Sequence, residues 1–189
     1  LRGWEHEPFN RHRELGEITR AWEADANPEV LDAAMAEVCS SPHPIKHCVE
    51  QVPWAISESL ARQATRAGYA HLFLYRRNAV DRLLSVAYAR RTGVWGPGHL
   101  DKSEQDDAAF EEPLDVEQLV QHEADCIERL TAVWSRLRDA AAEPFPIAYE
   151  DVYGDDEELA HARVRRILSA LDLSRGPKSD AQFIARLRA

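Results

Sequence analysis

The stretch Ala70-His-Leu-Phe-Leu-Tyr-Arg-Arg-Asn-Ala-Val-Asp-Arg-Leu-Leu-Ser85 changes its period half-way along. As far as Tyr75 it is apolar or aromatic at all but one position and is introduced by Gly68, which predicts a short strand buried on both faces, as inside a parallel sheet. From Val80 the apolar residues Val80, Leu83, Leu84, Ala87 and Tyr88 follow the spacing of an amphipathic helix, with Asn78 as N-cap and Gly93 as stop. Arg76 and Arg77 therefore stand where a strand gives way to a helix. Such a junction leaves unpaired backbone N–H groups and a positive dipole end, so an anion is its natural guest. Ser85 follows Asn78 by seven residues, only ~20° short of two helical turns, which puts its hydroxyl on the face of the cap. The spacing predicts that Arg77 and Ser85 reach one phosphate together, with Arg76 on the opposite side because successive strand residues alternate.

Outward from this unit, strands alternate with helices. The polar stretch Glu14–Ala24 reads as helical. Asn27-Pro28 opens a helix carrying Val30, Leu31, Ala34, Met35 and Val38, and Ser41-Pro-His-Pro breaks it. Ile45–Val49 is expected as a second short strand, and Pro53 starts a helix that stops at Gly68. Gly96–Pro113 is rich in Gly, Asp, Glu and Ser and is expected as a long loop, a candidate lid. Asp115 and Gln118 cap a long helix to about Glu143. Phe145–Tyr149 reads as a third strand, Glu157–Leu171 as a helix, and a short helix is expected after Ser179. The expected class is α/β, one domain over 1–189 with a parallel sheet flanked by helices.

Composition narrows the functions. The 189 residues, 44% of them hydrophobic, suit a globular protein with a sizeable core. No run is apolar enough for a membrane span and no apolar signal region opens the chain, so the expected location is cytoplasmic. The net charge of −10 argues against nucleic acid as a partner, since that binding displaces counterions with a basic surface. A small anionic cofactor is still permitted. Lys46, Lys102 and Lys178 are the only lysines. Cys39, Cys48 and Cys126 are odd in number and widely spaced, which predicts small apolar packing groups rather than disulfides or a metal centre. The histidines add no zinc signature, Glu5-His6-Glu7 included.

The order strand, Arg77-Asn78, Ser85 resembles the 3′-phosphate segment of sulfotransferases that use 3′-phosphoadenosine 5′-phosphosulfate (PAPS). Ala87-Tyr-Ala-Arg-Arg-Thr-Gly-Val-Trp95 is similar to the bacterial, carbohydrate-modifying branch. Glu7-Pro-Phe-Asn10, Ile45-Lys-His47 and Tyr149-Glu-Asp151 resemble its Glu-Pro-Phe segment, second strand and Tyr-Glu-Asp motif. The resemblance implies a P-loop-NTPase-like sulfotransferase fold, PAPS as co-substrate with no metal, and a carbohydrate or small-metabolite hydroxyl as acceptor. It also implies roles. Glu7 is the general base, and Lys46 is the electrostatic helper; His47 is the rival base because a neutral imidazole titrates near neutrality. Arg77 and Ser85 hold the 3′-phosphate, Tyr149 meets the adenine, and Lys178 lies in a late basic loop over the 3′-phosphate. One part of the pattern is missing. Nothing before Glu7 is a Gly/Ser/Thr-rich loop for the 5′-phosphosulfate, and no Gly-x-x-x-x-Gly-Lys run occurs, so that strand and loop are expected ahead of Leu1. The same absence disfavours a P-loop kinase. The alternative is a non-catalytic binding or dimerisation module of the same fold, for which a homodimer is the implied assembly.

Overall fold

The computed structural model describes residues 7–41, 43–93, 113–154, 156–173 and 176. Its elements, in chain order, are α1 (Gly16–Ala24), α2 (Pro28–Cys39), α3 (Trp54–Arg66), β1 (Leu72–Tyr75), α4 (Ala79–Thr92), α5 (Val116–Asp139), β2 (Phe145–Ala148), α6 (Tyr149–Tyr153) and α7 (Glu157–Ala170). The class is α/β, mostly helical, with a small two-stranded parallel sheet of β1 and β2. The chain packs as two compact units, Leu1–Leu72 with Asp125–Phe145, and Phe73–Ala124 with Pro146–Ala189. The expected loop and lid at 96–112, Lys178 and the C-terminal helix lie outside the described residues.

In the first unit, α2 forms where the sequence places its signals. The Asn27 side chain accepts from the N–H groups of Glu29 and Val30 at 3.0 and 3.3 Å, and Pro28 needs no partner at N1. Leu31, Met35 and Cys39 of α2 meet Ile56, Leu60 and Ala64 of α3 in one core, which also takes Phe9 and Leu15. Phe9, Met35 and Ile56 have no exposed surface. A polar contact ties the two helices: Ser59 Oγ donates to Asp32 Oδ1 at 2.6 Å, and Arg62 pairs with the same oxygen. Although burial opposes it, these contacts together hold the Asp32 carboxyl below its ordinary pKa.

Two strand expectations need correction. Ile45–Val49 is not a strand, because only Ile45 makes a bridge. Pro44 has no N–H to continue a ladder, and the chain turns at once, with Arg129 Nη1 donating to Val49 O and Val52 O at 3.2 and 3.4 Å. β1 begins at Leu72 rather than Ala70 and is not buried on both faces: Leu72, Leu74 and Tyr75 are 44%, 55% and 40% exposed. It has a single neighbouring strand among the described residues, which Phe145 N joins at His71 O, 2.8 Å. The same-face pair Leu72 and Leu74 is left open to solvent.

In the second unit, α4 begins and ends as its sequence predicts. Asn78 Oδ1 accepts from Val80 N and Asp81 N at 3.1 and 3.3 Å, and Gly93 closes the helix in the left-handed region, φ 71°. Asp115 Oδ1 accepts from Gln118 N at 2.9 Å at the start of α5. The third strand stops at Ala148, one residue early, and Tyr149 opens the five-residue α6. Two acids in the first turn favour this helix. Gly154 ends it where a Cβ would stand 2.5 Å from Glu150 O. Val152 of α6 and Val164 of α7 form a second core with Ile147, Ile167 and Leu168.

Candidate functional site

Three sequence-assigned residues of the first unit fall together around the 7–10 turn. Phe9 is buried in the core, and Thr19 Oγ1 donates to its carbonyl at 2.6 Å. This anchor fixes Glu7, whose backbone adopts the left-handed region at φ 62° although it is not glycine. The Glu7 carboxylate meets Lys46 Nζ at 3.3 Å and accepts from Asn10 Nδ2 at 3.3 Å, while Asn10 also donates to Gln51 Oε1 at 2.6 Å. An acid and the only described lysine thus form one pair. That gives a proton acceptor beside a point charge.

His47 turns away from solvent instead. Its Nε2 lies 2.8 Å from Ser57 Oγ and its ring meets Phe9 edge-on at 5.8 Å. Burial pushes the imidazole from its ordinary 6.5 down to about 4. It is therefore neutral near pH 7.

The cysteines pack less simply than composition suggests. All three are free thiols, and Cys39 lies in the core. Cys48 and Cys126, however, both donate to the Glu50 carboxylate, at 3.5 and 2.8 Å. Burial first, and then Glu50, push the Cys48 thiol up to about 12, which makes it a poor nucleophile. The Glu50 carboxylate thus gathers both of these thiols. On α5, His122 precedes Cys126 by four residues, one helical turn, a His–Cys spacing that the expectation of no such pair passes over.

The strand–helix junction of the second unit carries the remaining residues. The N–H of Arg77 donates to Glu150 Oε1 and Oε2 at 3.0 and 3.2 Å, and the N–H of Asn78 donates to Oε1 at 3.2 Å. A carboxylate of α6 thus faces the start of α4, where the sequence predicts an anion. The backbone N–H of Glu150 itself, and then those of Arg77 and Asn78, hold that carboxyl below its usual range. The Arg77 guanidinium pairs with Asp151 Oδ1 at 2.7 Å, a contact that raises its pKa further. Arg163 Nε approaches Asp151 Oδ2 at 3.5 Å.

Ser85 is reached by the other arginine. Arg76 Nη1 donates to Ser85 Oγ at 3.5 Å, and the Arg76 guanidinium lies over the Tyr149 ring at 4.0 Å. Tyr149 stacks on Tyr153 with centroids 4.6 Å apart. The structure therefore brings Ser85 and Tyr149 together through Arg76 and turns Arg77 toward α6. Glu150 and Asp151, which the sequence suggests as loop-fixing carboxylates, hold the backbone and the guanidinium of this junction. Their signal is the acidic pair directly after an apolar run, which marks the first turn of a helix.

Comparison with protein-family models, curated proteins and solved structures returns no match. Among the described residues no helix is long and apolar enough to cross a membrane.

Proposed function

We propose that the chain is a cytoplasmic PAPS-dependent sulfotransferase of the bacterial carbohydrate or small-metabolite type, built on a sulfotransferase-like α/β fold. The observation that carries this reading is the junction after β1, where a capped helix start, two arginines and Ser85 share one small region. Guanidinium and hydroxyl donors in that arrangement suit a phosphate monoester.

In this reading the acceptor oxygen bonds to sulfur as the bridging oxygen–sulfur bond breaks. The electron pair leaves on the 5′-phosphate of the donor, and the acceptor proton passes to the Glu7 carboxylate. Lys46 supplies positive charge, and Ser85 with one arginine of the β1–α4 junction holds the 3′-phosphate. The support for Glu7 and Lys46 is their pairing at 3.3 Å on a strained, core-anchored turn. The late loop containing Lys178 belongs to the same proposal by resemblance alone.

The test is calorimetry on the full chain with 3′-phosphoadenosine 5′-phosphate (PAP) against adenosine 5′-phosphate. A charge-assisted contact to the extra phosphate predicts at least about tenfold tighter binding of PAP. Equal affinities would remove the reading. A second reading, a non-catalytic module that pairs with another copy of itself, is favoured by the exposed Leu72, Leu74 and Tyr75 of β1. It predicts a homodimer in sedimentation equilibrium and no sulfuryl transfer.

A further inference from the structure

Two adjacent arginines follow β1, and their surroundings differ in one decisive respect. Arg77 presents the N–H edge of its guanidinium to Asp151 at 2.7 Å, and its backbone N–H is taken by Glu150. Arg163 approaches the same aspartate. Two guanidinium charges thus face two carboxylates, and the group is neutral. An incoming phosphate at Arg77 would have to displace Asp151 and would meet the Glu150 charge beside it. Asp81, also in the first turn of α4, is turned to the Asn78 side-chain amide at 2.7 Å.

Among the described residues no acid pairs with Arg76. Its guanidinium meets the Tyr149 ring at 4.0 Å and Ser85 Oγ at 3.5 Å. A guanidinium held over an aromatic face by cation–π attraction does not spend its N–H donors on an acceptor. Those N–H groups have the fork geometry that grips a phosphate through two oxygens. The contact to Ser85 is at the long limit of a hydrogen bond, so the hydroxyl keeps its own proton for a ligand. Tyr153, stacked on Tyr149, holds the ring that holds the arginine.

We propose that Arg76, fixed by Tyr149, is the arginine that binds the 3′-phosphate with Ser85, and that Arg77 is a positioning residue that anchors α6 through Asp151. This assignment rests on reading the junction as a 3′-phosphate site. It reverses the expectation drawn from sequence order, in which Arg77 is the ligand. It also changes the part played by Tyr149, whose ring orients the arginine instead of supplying a face to the adenine.

The experiment is calorimetry of PAP and of adenosine 5′-phosphate with the full chain, its Arg76→Ala, Arg76→Gln and Arg77→Ala variants, and Tyr149→Phe and Tyr149→Leu. Arg76→Ala and Arg76→Gln are expected to lose about tenfold or more in PAP affinity while adenosine 5′-phosphate binding holds, so the preference for the 3′-phosphate disappears. Arg77→Ala is expected to lower the melting temperature and to keep that preference. Tyr149→Phe retains the ring and behaves as wild type, whereas Tyr149→Leu releases Arg76 and lowers PAP affinity alone. The assignment is overturned if Arg77→Ala abolishes the preference and the Arg76 variants keep it. Wild-type protein with no preference for PAP would sink the reading of the junction itself, an outcome separate from a wrong choice of arginine.

Discussion

Arg76 and Arg77 occupy neighbouring positions in the sequence, yet one is neutralised by Asp151 and the other rests on an aromatic ring. Composition and spacing identify the pair and the junction. They do not reveal which arginine is left with free donors, because that depends on Tyr149, Glu150 and Asp151, more than seventy positions away in the chain. Glu7 and Lys46 behave differently: both were legible as candidates, and the structure pairs them. His47 was legible only as a titratable residue, since its burial against Phe9 and Ser57 is a tertiary property. That burial has a consequence for acid stability. The folded imidazole titrates near 4 and the unfolded one near 6.5, so the unfolded chain binds more protons between these values. Stability from this group is intact above about pH 6.5 and falls as pH drops toward about 4, by on the order of 2 kcal/mol at about pH 5. Burial lowers the His71 pKa as well, and it acts in the same direction. Melting temperatures measured between neutral and mildly acid pH should fall steeply in wild type and less so in His47→Gln. Identical slopes would show that His47 is not the titrating group.

At the scale of elements, local signals are legible wherever a cap or breaker sets the boundary. Asn27-Pro28, Asn78, Gly93 and Asp115 all act as their residue types predict. The failures share one cause. Short apolar runs carry no period long enough to separate strand from bridge or short helix, and Ile45 and Tyr149 fell on the wrong side. The cap of α4 matters for the site because it sets where the helix starts relative to Arg77. Asn78→Ala removes the acceptor for two N–H groups and should cost about 1 kcal/mol of stability, seen as a lower denaturation midpoint without a change in slope. Asn78→Ser keeps an acceptor there without adding a charge beside Asp81 and Glu150, and should restore most of that loss. An unchanged midpoint in Asn78→Ala would mean that Glu150 alone sustains the start of α4.

For the molecule as a whole, the class was legible and the extent of the sheet was not. Alternating strand and helix patterns gave α/β correctly, but only two strands form among the described residues, and the exposed side chains of β1 depart from the buried strand that its apolar run suggests. Hydrophobicity reports what a strand is able to bury, not whether a neighbour is there to cover it. The two compact units divide the candidate chemistry: Glu7, Lys46 and His47 in the first, Arg76, Arg77, Ser85 and Tyr149 in the second. The central proposal is that the second group holds a phosphorylated ribose. A crystal structure of the full chain with PAP tests that most directly. The predicted result is the 3′-phosphate within hydrogen-bond reach of Ser85 Oγ and the guanidinium stacked on Tyr149, with Glu150 still on the N–H groups of Arg77 and Asn78. A complex in which the nucleotide binds elsewhere, and Arg76 and Ser85 touch no phosphate, would contradict it.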